Sequence, residues 1–254
     1  MSDFTGKVAL VTGATRGIGY GIAEEIVARG GSVCITARKP DELDAARRHL
    51  EASLIECLTV TADIAVPDAI PRVVDAVLGQ WNHIDVLVNN AGANWAAPAE
   101  AYPDAGWRKV MSLNIDASFY LSREVARRSM IPRNSGKIIN ISSIAGLYGN
   151  PPDWEMETIA YNASKGALIS LTKALAAEWG KYNINVNAIC PGFFPSRMTD
   201  VTLQRIDRKV LEMTPLHRLG GDEDLKGIAV FLASEASRHI TGQFVAVDGG
   251  CSAI

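Results

Sequence analysis

The chain is poor in the residues that metal sites and redox motifs require. Its 254 residues include 4 histidines and 4 cysteines. Cys34, Cys57, Cys190 and Cys251 are widely scattered, none at CxxC spacing, and no His/carboxylate cluster accompanies them. A zinc site or thioredoxin-like motif is therefore not indicated, the expectation is no metal, and the thiols read as small buried hydrophobes. A surplus of positive charge is also missing: 25 Lys and Arg stand against 28 Asp and Glu, a formal net charge of −3. That balance provides no overall field for gathering nucleic acid or an anionic membrane surface. No apolar stretch approaches the length of a membrane span, and Met1-Ser2-Asp3-Phe4-Thr5-Gly6-Lys7 lacks a charged segment followed by an apolar run. The expectation is a cytoplasmic protein with no nucleic-acid or membrane partner. No linker or charge run divides the sequence, and with 48% hydrophobic and 21% charged residues it reads as one globular domain over 1–254.

Within that domain the first half alternates strand and helix patterns. Lys7 to Thr12 is a β-branched-rich run that stops at a glycine, and a helical pattern from Ile18 to Arg29 follows. Between them lies Thr12-Gly13-Ala14-Thr15-Arg16-Gly17-Ile18-Gly19. Glycines there let the backbone turn sharply and approach a ligand closely, while the helix N-terminus offers unpaired N–H groups and positive dipole to a diphosphate. A tight turn that uses small residues for helix–strand packing is the other reading. A second strand pattern, Gly31 to Lys39, ends in Arg38-Lys39, and a third, Leu54 to Thr61, leads to Asp63-Ile64. After a helical stretch from Pro71 to Gly79, the buried strand Ile84–Val88 runs into Asn89-Asn90-Ala91-Gly92. Such alternation implies parallel strands, right-handed crossovers and a ligand crevice at the strands' carboxyl ends.

The second half carries the candidate chemistry. Trp107 to Met130 has helical periodicity, interrupted by Asn114, which is mildly unfavourable inside a helix. Lys137–Ile141 reads as a fifth strand ending in Ser142-Ser143-Ile144-Ala145-Gly146. In the helical segment that runs to about Gly180, Tyr161 and Lys165 stand four apart, so they project from one face. An ammonium that close favours the phenolate, and a tyrosine so tuned is a usable general acid or base. Many Tyr/Lys pairs at this spacing are only surface packing. Ile184–Cys190 is a sixth strand ended by Pro191-Gly192; Arg197–Leu216 is mixed, Glu223–Ser234 helical, and Ile240–Gly250 a closing strand and turn.

Five motifs, TGxxxGxG at Gly13, Gly17 and Gly19, NNAG at 89–92, SSxxG at 142–146, YxxxK at Tyr161 and Lys165, and PG at 191–192, run in order along the chain. Together they resemble the short-chain dehydrogenase/reductase family from Thr12 to Gly250. The resemblance implies an α/β fold: a single Rossmann-like doubly wound domain, a parallel seven-stranded sheet with helices on both faces, and a mobile substrate lid around 193–216. It implies hydride transfer between a nicotinamide cofactor and a small-molecule carbonyl or secondary alcohol, with Asn114, Ser143, Tyr161 and Lys165 as the catalytic set. By the same resemblance the cofactor lies against Gly13, Thr15, Arg16, Gly17, Ile18 and Gly19 of the loop, then Asp63, Ile64, Asn90, Ala91 and Gly92. Tyr161, Lys165, Pro191, Gly192 and Ser196 complete its contacts, Ser196 where relatives place a Thr that bonds the carboxamide. NAD-binding relatives usually end the second strand in an acidic residue, whereas Arg38 and Lys39 stand here, flanked by Arg16. These cations favour a 2′-phosphate, so NADP(H) is expected ahead of NAD(H), unless they are simply solvated.

Bland alternatives stand beside these roles. Asp63 could cap a helix ahead of Pro67-Asp68, Asn90 belong to an Asn-Gly turn, Asn114 bond the backbone, and Ser143 form a turn or cap. One departure concerns spacing: Ser143 and Tyr161 lie 161 − 143 = 18 residues apart, about five more than the family usually sets, the excess falling within 150–159. Pro151, Pro152 and the polar residues around them predict a loop or short helical turn at the substrate mouth, with Trp154, Met156, Asp153, Glu155 and Glu157 shaping specificity, spacing the elements, or meeting another subunit. The substrate reading is 3-oxoacyl reductase-like, with an oxidative sugar-acid or polyol dehydrogenase as alternative; a non-catalytic NADP sensor would have no chemical need for the tetrad. Arg123, Arg127, Arg128 and Arg133 could meet an acidic carrier or be solvated. A homotetramer is the first expectation for assembly and a dimer the second.

Overall fold

The structure, a computed structural model, describes residues 4–51, 56–195 and 200–254. Seven strands, β1 (Val8–Thr12), β2 (Ser32–Ala37), β3 (Cys57–Thr61), β4 (Val86–Asn89), β5 (Gly136–Ile141), β6 (Ile184–Pro191) and β7 (Phe244–Val247), form one sheet in the order β3-β2-β1-β4-β5-β6-β7. Every neighbouring pair is parallel. The winding direction reverses between β1 and β4, which opens a crevice at the carboxyl ends of those two strands.

Side-chain alternation along the strands divides the core between the two faces. On β1, Ala9 and Val11 join one apolar cluster, while Val8 and Leu10 join the other, as the period of two along a strand requires. The first cluster receives Ile22 and Ile26 of α1 (Gly17–Ala28), Leu43 and Leu50 of α2 (Pro40–Leu50), and Val230 of α9 (Lys226–Ala233). The second receives Val73 and Val77 of α3 (Ala69–Trp81), Leu121 and Val125 of α5 (Ala117–Val125), and Leu175 of α7 (Ile159–Trp179). Helices thus cover both faces, and β1, β4 and β5 are buried along their whole length, which is why they read as near-continuous apolar runs.

Several bounds differ from the sequence expectation. The helix expected over 107–130 is longer: α4 (Asp104–Met111), a π turn at Ser112–Asp116, α5, a second π turn at Ala126–Met130 and α6 (Ile131–Arg133) follow without a break. α3 begins before Pro71, which sits in the first turn, where its missing N–H costs nothing. The expected start of the third strand at Leu54 lies outside the described residues. Within the mixed region, Asp200–Glu212 forms α8. Among the described residues, no helix is long and apolar enough to cross a membrane.

Candidate active site

At the carboxyl ends of β1 and β4 a cavity of about 740 Å³ runs from Arg16, Arg38 and Lys39 at one end to Ser143, Tyr161 and Lys165 at the other. Gly13, Gly17, Asn90, Ala91, Gly92, Asp63, Ile64, Pro191 and Gly192 line it between. Local structure explains why several of these must be small. Gly13 has φ +64°, and a Cβ there would come within 2.9 Å of Ala91 Cα. Gly17 opens α1 with φ +58° and nothing within 4 Å of a built Cβ, so its surface is free to receive a ligand. A Cβ on Gly19 would collide with the Asn90 amide. No side chain caps the N-terminus of α1, which leaves first-turn N–H groups available at the cavity wall.

The two asparagines of NNAG hold the floor of the crevice. Asn90 Nδ2 donates to the carbonyls of Thr12 and Gly13, at 2.9 and 3.0 Å, tying β4 to the glycine loop. Asn89 Nδ2 donates to Asn140 Oδ1 and Ser122 Oγ, and Asn140 continues to Thr172, so a buried amide chain links β4, β5 and α7. Asp63 Oδ1 accepts from Ala65 N two residues on, a local turn, while α3 begins only at Ala69. The carboxylate therefore lines the cavity without capping that helix.

At the deep end, Lys165 is buried, and its Nζ donates to Ile141 O at 2.7 Å at the end of β5. Burial pulls its pKa down to about 8, opposed only by Cys190. The same Nζ stands 5.5 Å from the centroid of the Tyr161 ring. Tyr161 lines the cavity, yet burial pushes its phenol above the ordinary value, against a hydrogen bond from Ser143 that pulls it down. The expected depression by Lys165 is not found in this geometry, because the ammonium faces the ring and its charge is directed at a carbonyl. Ser143 does cap the short turn Ile144–Gly146, accepting from Ala145 N at 3.1 Å, which leaves its one hydroxyl hydrogen for the bond to Tyr161. Ser142 Oγ donates to Lys165 O at 2.8 Å, fastening the strand end to α7. A Cβ at Gly146 would strike the Lys165 backbone at 2.6 Å, which accounts for the glycine of SSxxG.

Asn114 lies in the first π turn, with its side chain fully engaged. Nδ2 donates to Ala93 O and Ser164 Oγ, and Oδ1 accepts from Ala93 N. A Cβ on Gly92 would stand 3.4 Å from Asn114 Oδ1 and 3.8 Å from Lys165 Nζ, so Gly92 brings both groups to one spot. Ser196 lies outside the described residues. Sequence reasoning missed Gly220, Gly221 and Asp222, which also line the cavity; the adjacent glycines were the available signal, since Gly220 leaves room for the Phe194 ring. It also missed Glu42, whose carboxylate bonds Arg16 and Lys39.

The segment with extra length forms a short turn, Pro152–Trp154. Trp154 is buried against Leu203, Ile206 and Val210 of α8, with its ring 5.5 Å from that of Phe193. Arg205 pairs with Glu155 and Lys209 with Asp153. Glu157 O accepts from Ala97 N at 2.9 Å, so the insertion bridges α8 and the loop after β4. Of the arginines considered for an acidic carrier, Arg127 pairs with Glu124, Arg128 with Asp75 and Glu124, and Arg133 with Asp85. Arg123 lies over the Phe119 and Tyr120 rings.

A parallel sheet with its cavity at the switch point, a glycine loop on one side and a Tyr/Lys pair on the other, defines an α/β protein built around a nucleotide-type crevice. Comparison with known proteins agrees. A family model described as "Enoyl-(Acyl carrier protein) reductase" matches residues 13–252. The chain is 38% identical over 250 residues to a gluconate 5-dehydrogenase of Gluconobacter oxydans, covering 98% of this chain and 95% of the relative. It is 36% identical over 245 residues to a 3-oxoacyl-(acyl-carrier-protein) reductase of Staphylococcus epidermidis, covering 96% and 98%. The structure of a gluconate 5-dehydrogenase from Burkholderia cenocepacia in complex with NADP and tartrate superposes with a TM-score of 0.93 at 32% identity, covering 99% of this chain and 97% of that one. The chain belongs to the short-chain dehydrogenase/reductase family.

Proposed function

We propose that this chain is an NADP(H)-dependent oxidoreductase that moves a hydride between the nicotinamide and a carbonyl/secondary-alcohol pair. One observation carries the reading: a single cavity has a phenol, a hydroxyl and a buried ammonium at one end and three cations at the other. The residues fit the cofactor. Gly13 and Gly17 leave the backbone bare, and the uncapped N-terminus of α1 suits a diphosphate. Arg16, Arg38 and Lys39 suit a 2′-phosphate. When bound, NADP(H) supplies or accepts the hydride.

The chain's own residues handle the oxygen. Ser143 donates to the carbonyl oxygen, and Tyr161 gives that oxygen its proton in reduction or removes it in oxidation. Negative charge grows on this oxygen only as the transition state is approached, so fixed donors aimed at it stabilise that state preferentially. Lys165 stands beside Tyr161 as a donor toward the nicotinamide ribose. Asn114 holds Ala93 and Ser164 in place around it. Ser196 takes part at the carboxamide.

The primary substrate reading is a 3-oxoacyl-type ketone, reduced. Oxidation of a sugar acid or polyol is the second reading, favoured by the gluconate dehydrogenases among the relatives. Residues 193–216 act as a substrate lid with Phe193, Phe194 and Met198, the last outside the described residues, as its apolar inner surface, a reading supported by Phe194 at the cavity, and the insertion seats α8 through Trp154. Cytoplasmic location and a homotetramer, with a dimer second, complete the proposal; the exposed Phe244 on the edge strand β7 supports association. The test is a screen of ketones and alcohols with NADP(H) and NAD(H), read at the nicotinamide absorbance, alongside Tyr161→Phe. Full turnover by that variant on a working substrate would overturn the assignment.

A further inference from the structure

The cation-rich end of the cavity also holds a carboxylate. Glu42 lies in the first turn of α2 and lines the cavity with Arg16, Arg38 and Lys39. Its Oε2 accepts from Arg16 Nη1 at 2.9 Å, and its Oε1 accepts from Lys39 Nζ at 3.0 Å. Thr15 Oγ1 is 3.5 Å from the same Oε2. Arg16 belongs to the glycine loop and Lys39 to the turn after β2, so one carboxylate ties together two segments that line the same end of the cavity. Among the described residues Arg38 has no ion-pair partner. Two of the three cations that a 2′-phosphate would use therefore already share one carboxylate, which lowers the net charge of the cluster from +3 to +2.

We propose that Glu42 is a cofactor-discriminating residue, an internal stand-in for the 2′-phosphate that holds Arg16 and Lys39 and so tempers the preference for NADP(H) over NAD(H). The inference rests on the nicotinamide-dinucleotide reading of the cavity. A phosphate monoester carries roughly −1.5 to −2 charges at neutral pH. To reach Arg16 and Lys39 it must displace Glu42 or sit beside a like charge, and either weakens binding of the phosphorylated cofactor. A 2′-hydroxyl demands neither, and a carboxylate can accept its hydrogen bond.

The test uses the full chain and two ligands that differ at this position, adenosine 2′,5′-bisphosphate and ADP, titrated by calorimetry. Glu42→Gln keeps the side chain's size and removes its charge. Its affinity for the 2′,5′-bisphosphate should rise about three- to fivefold while that for ADP stays within about twofold, the scale expected for a partly exposed charge contact. Adding Arg16→Ala to Glu42→Gln should remove most of that gain, because the freed guanidinium is its source. An unchanged or lower affinity for the bisphosphate would overturn the inference. Loss of both ligands in Glu42→Gln would assign the carboxylate to holding the loops together and would also overturn it. If the unmodified chain binds neither ligand, nor NADPH, the dinucleotide reading falls and takes this inference with it; binding of NADPH without a shift in discrimination sinks only the role of Glu42.

Discussion

Tyr161 and Lys165 are governed by burial more than by each other. Burial raises the phenol and lowers the ammonium, the latter to about 8. Removing the phenolic proton by Tyr161→Phe should reduce kcat by about 10² to 10⁴, the usual contribution of a placed general acid, with KM for the nucleotide little changed. Ser143→Ala should cost about 10² to 10³ in kcat through loss of a donor to the developing oxyanion. Lys165 also leaves a mark on stability. Its folded pKa is near 8 against an ordinary 10.5, so between those values the unfolded chain binds more protons and stability gained from this group rises with pH. Below about 8 both states are charged and the full cost of burying the ammonium applies. Denaturant midpoints measured near pH 7 and pH 9.5 should therefore show an upward contribution that is absent in Lys165→Met. Equal pH dependence in the two proteins would contradict that assignment.

Between elements, the contact most specific to this chain is the insertion against α8. Trp154 is only 4% exposed and packs into Leu203, Ile206 and Val210. Trp154→Ala should cost about 3 kcal/mol or more of local packing; amides of α8 should exchange faster in deuterium oxide while those of β5 stay protected. Uniform protection in the variant would show that the insertion does not seat that helix. The same stretch shows where legibility ended. Pro151 and Pro152 announced a turn, but nothing local says that a tryptophan ten residues after Ile144 meets a helix beginning at Asp200. The sheet, by contrast, was readable, because most strands are apolar-rich runs, and β1, β2, β4 and β6 meet a glycine or asparagine at one end or both. The motif residues were readable too, through their order along the chain. Geometry supplied what spacing cannot encode: the ammonium over the ring, the bonded Asn114 amide, and Glu42, whose position in an acidic first turn looks like ordinary helix-dipole complementarity.

For the molecule as a whole, the cavity joins groups from nearly the entire length, from Gly13 to Lys226, so a ligand that spans it should stabilise the native state globally. Saturating NADPH at about a hundred times Kd should add about 2.7 kcal/mol by mass action and raise the melting temperature accordingly. NADH at equal concentration should raise it less, and an equal or larger rise with NADH would count against the expected preference. The position of β1 inside the sheet, with a neighbour on each side, has a further consequence, for biogenesis. Its register pairs Ala9 with Val33 on one side and with Val86 on the other. A nascent chain emerging from the ribosome can therefore complete one flank of β1 early but must wait for another fifty or so residues, about 86 − 33, before the second flank can close. Until then the open edge of this first strand, which ends up inside the sheet, is the place where chaperones have something to hold.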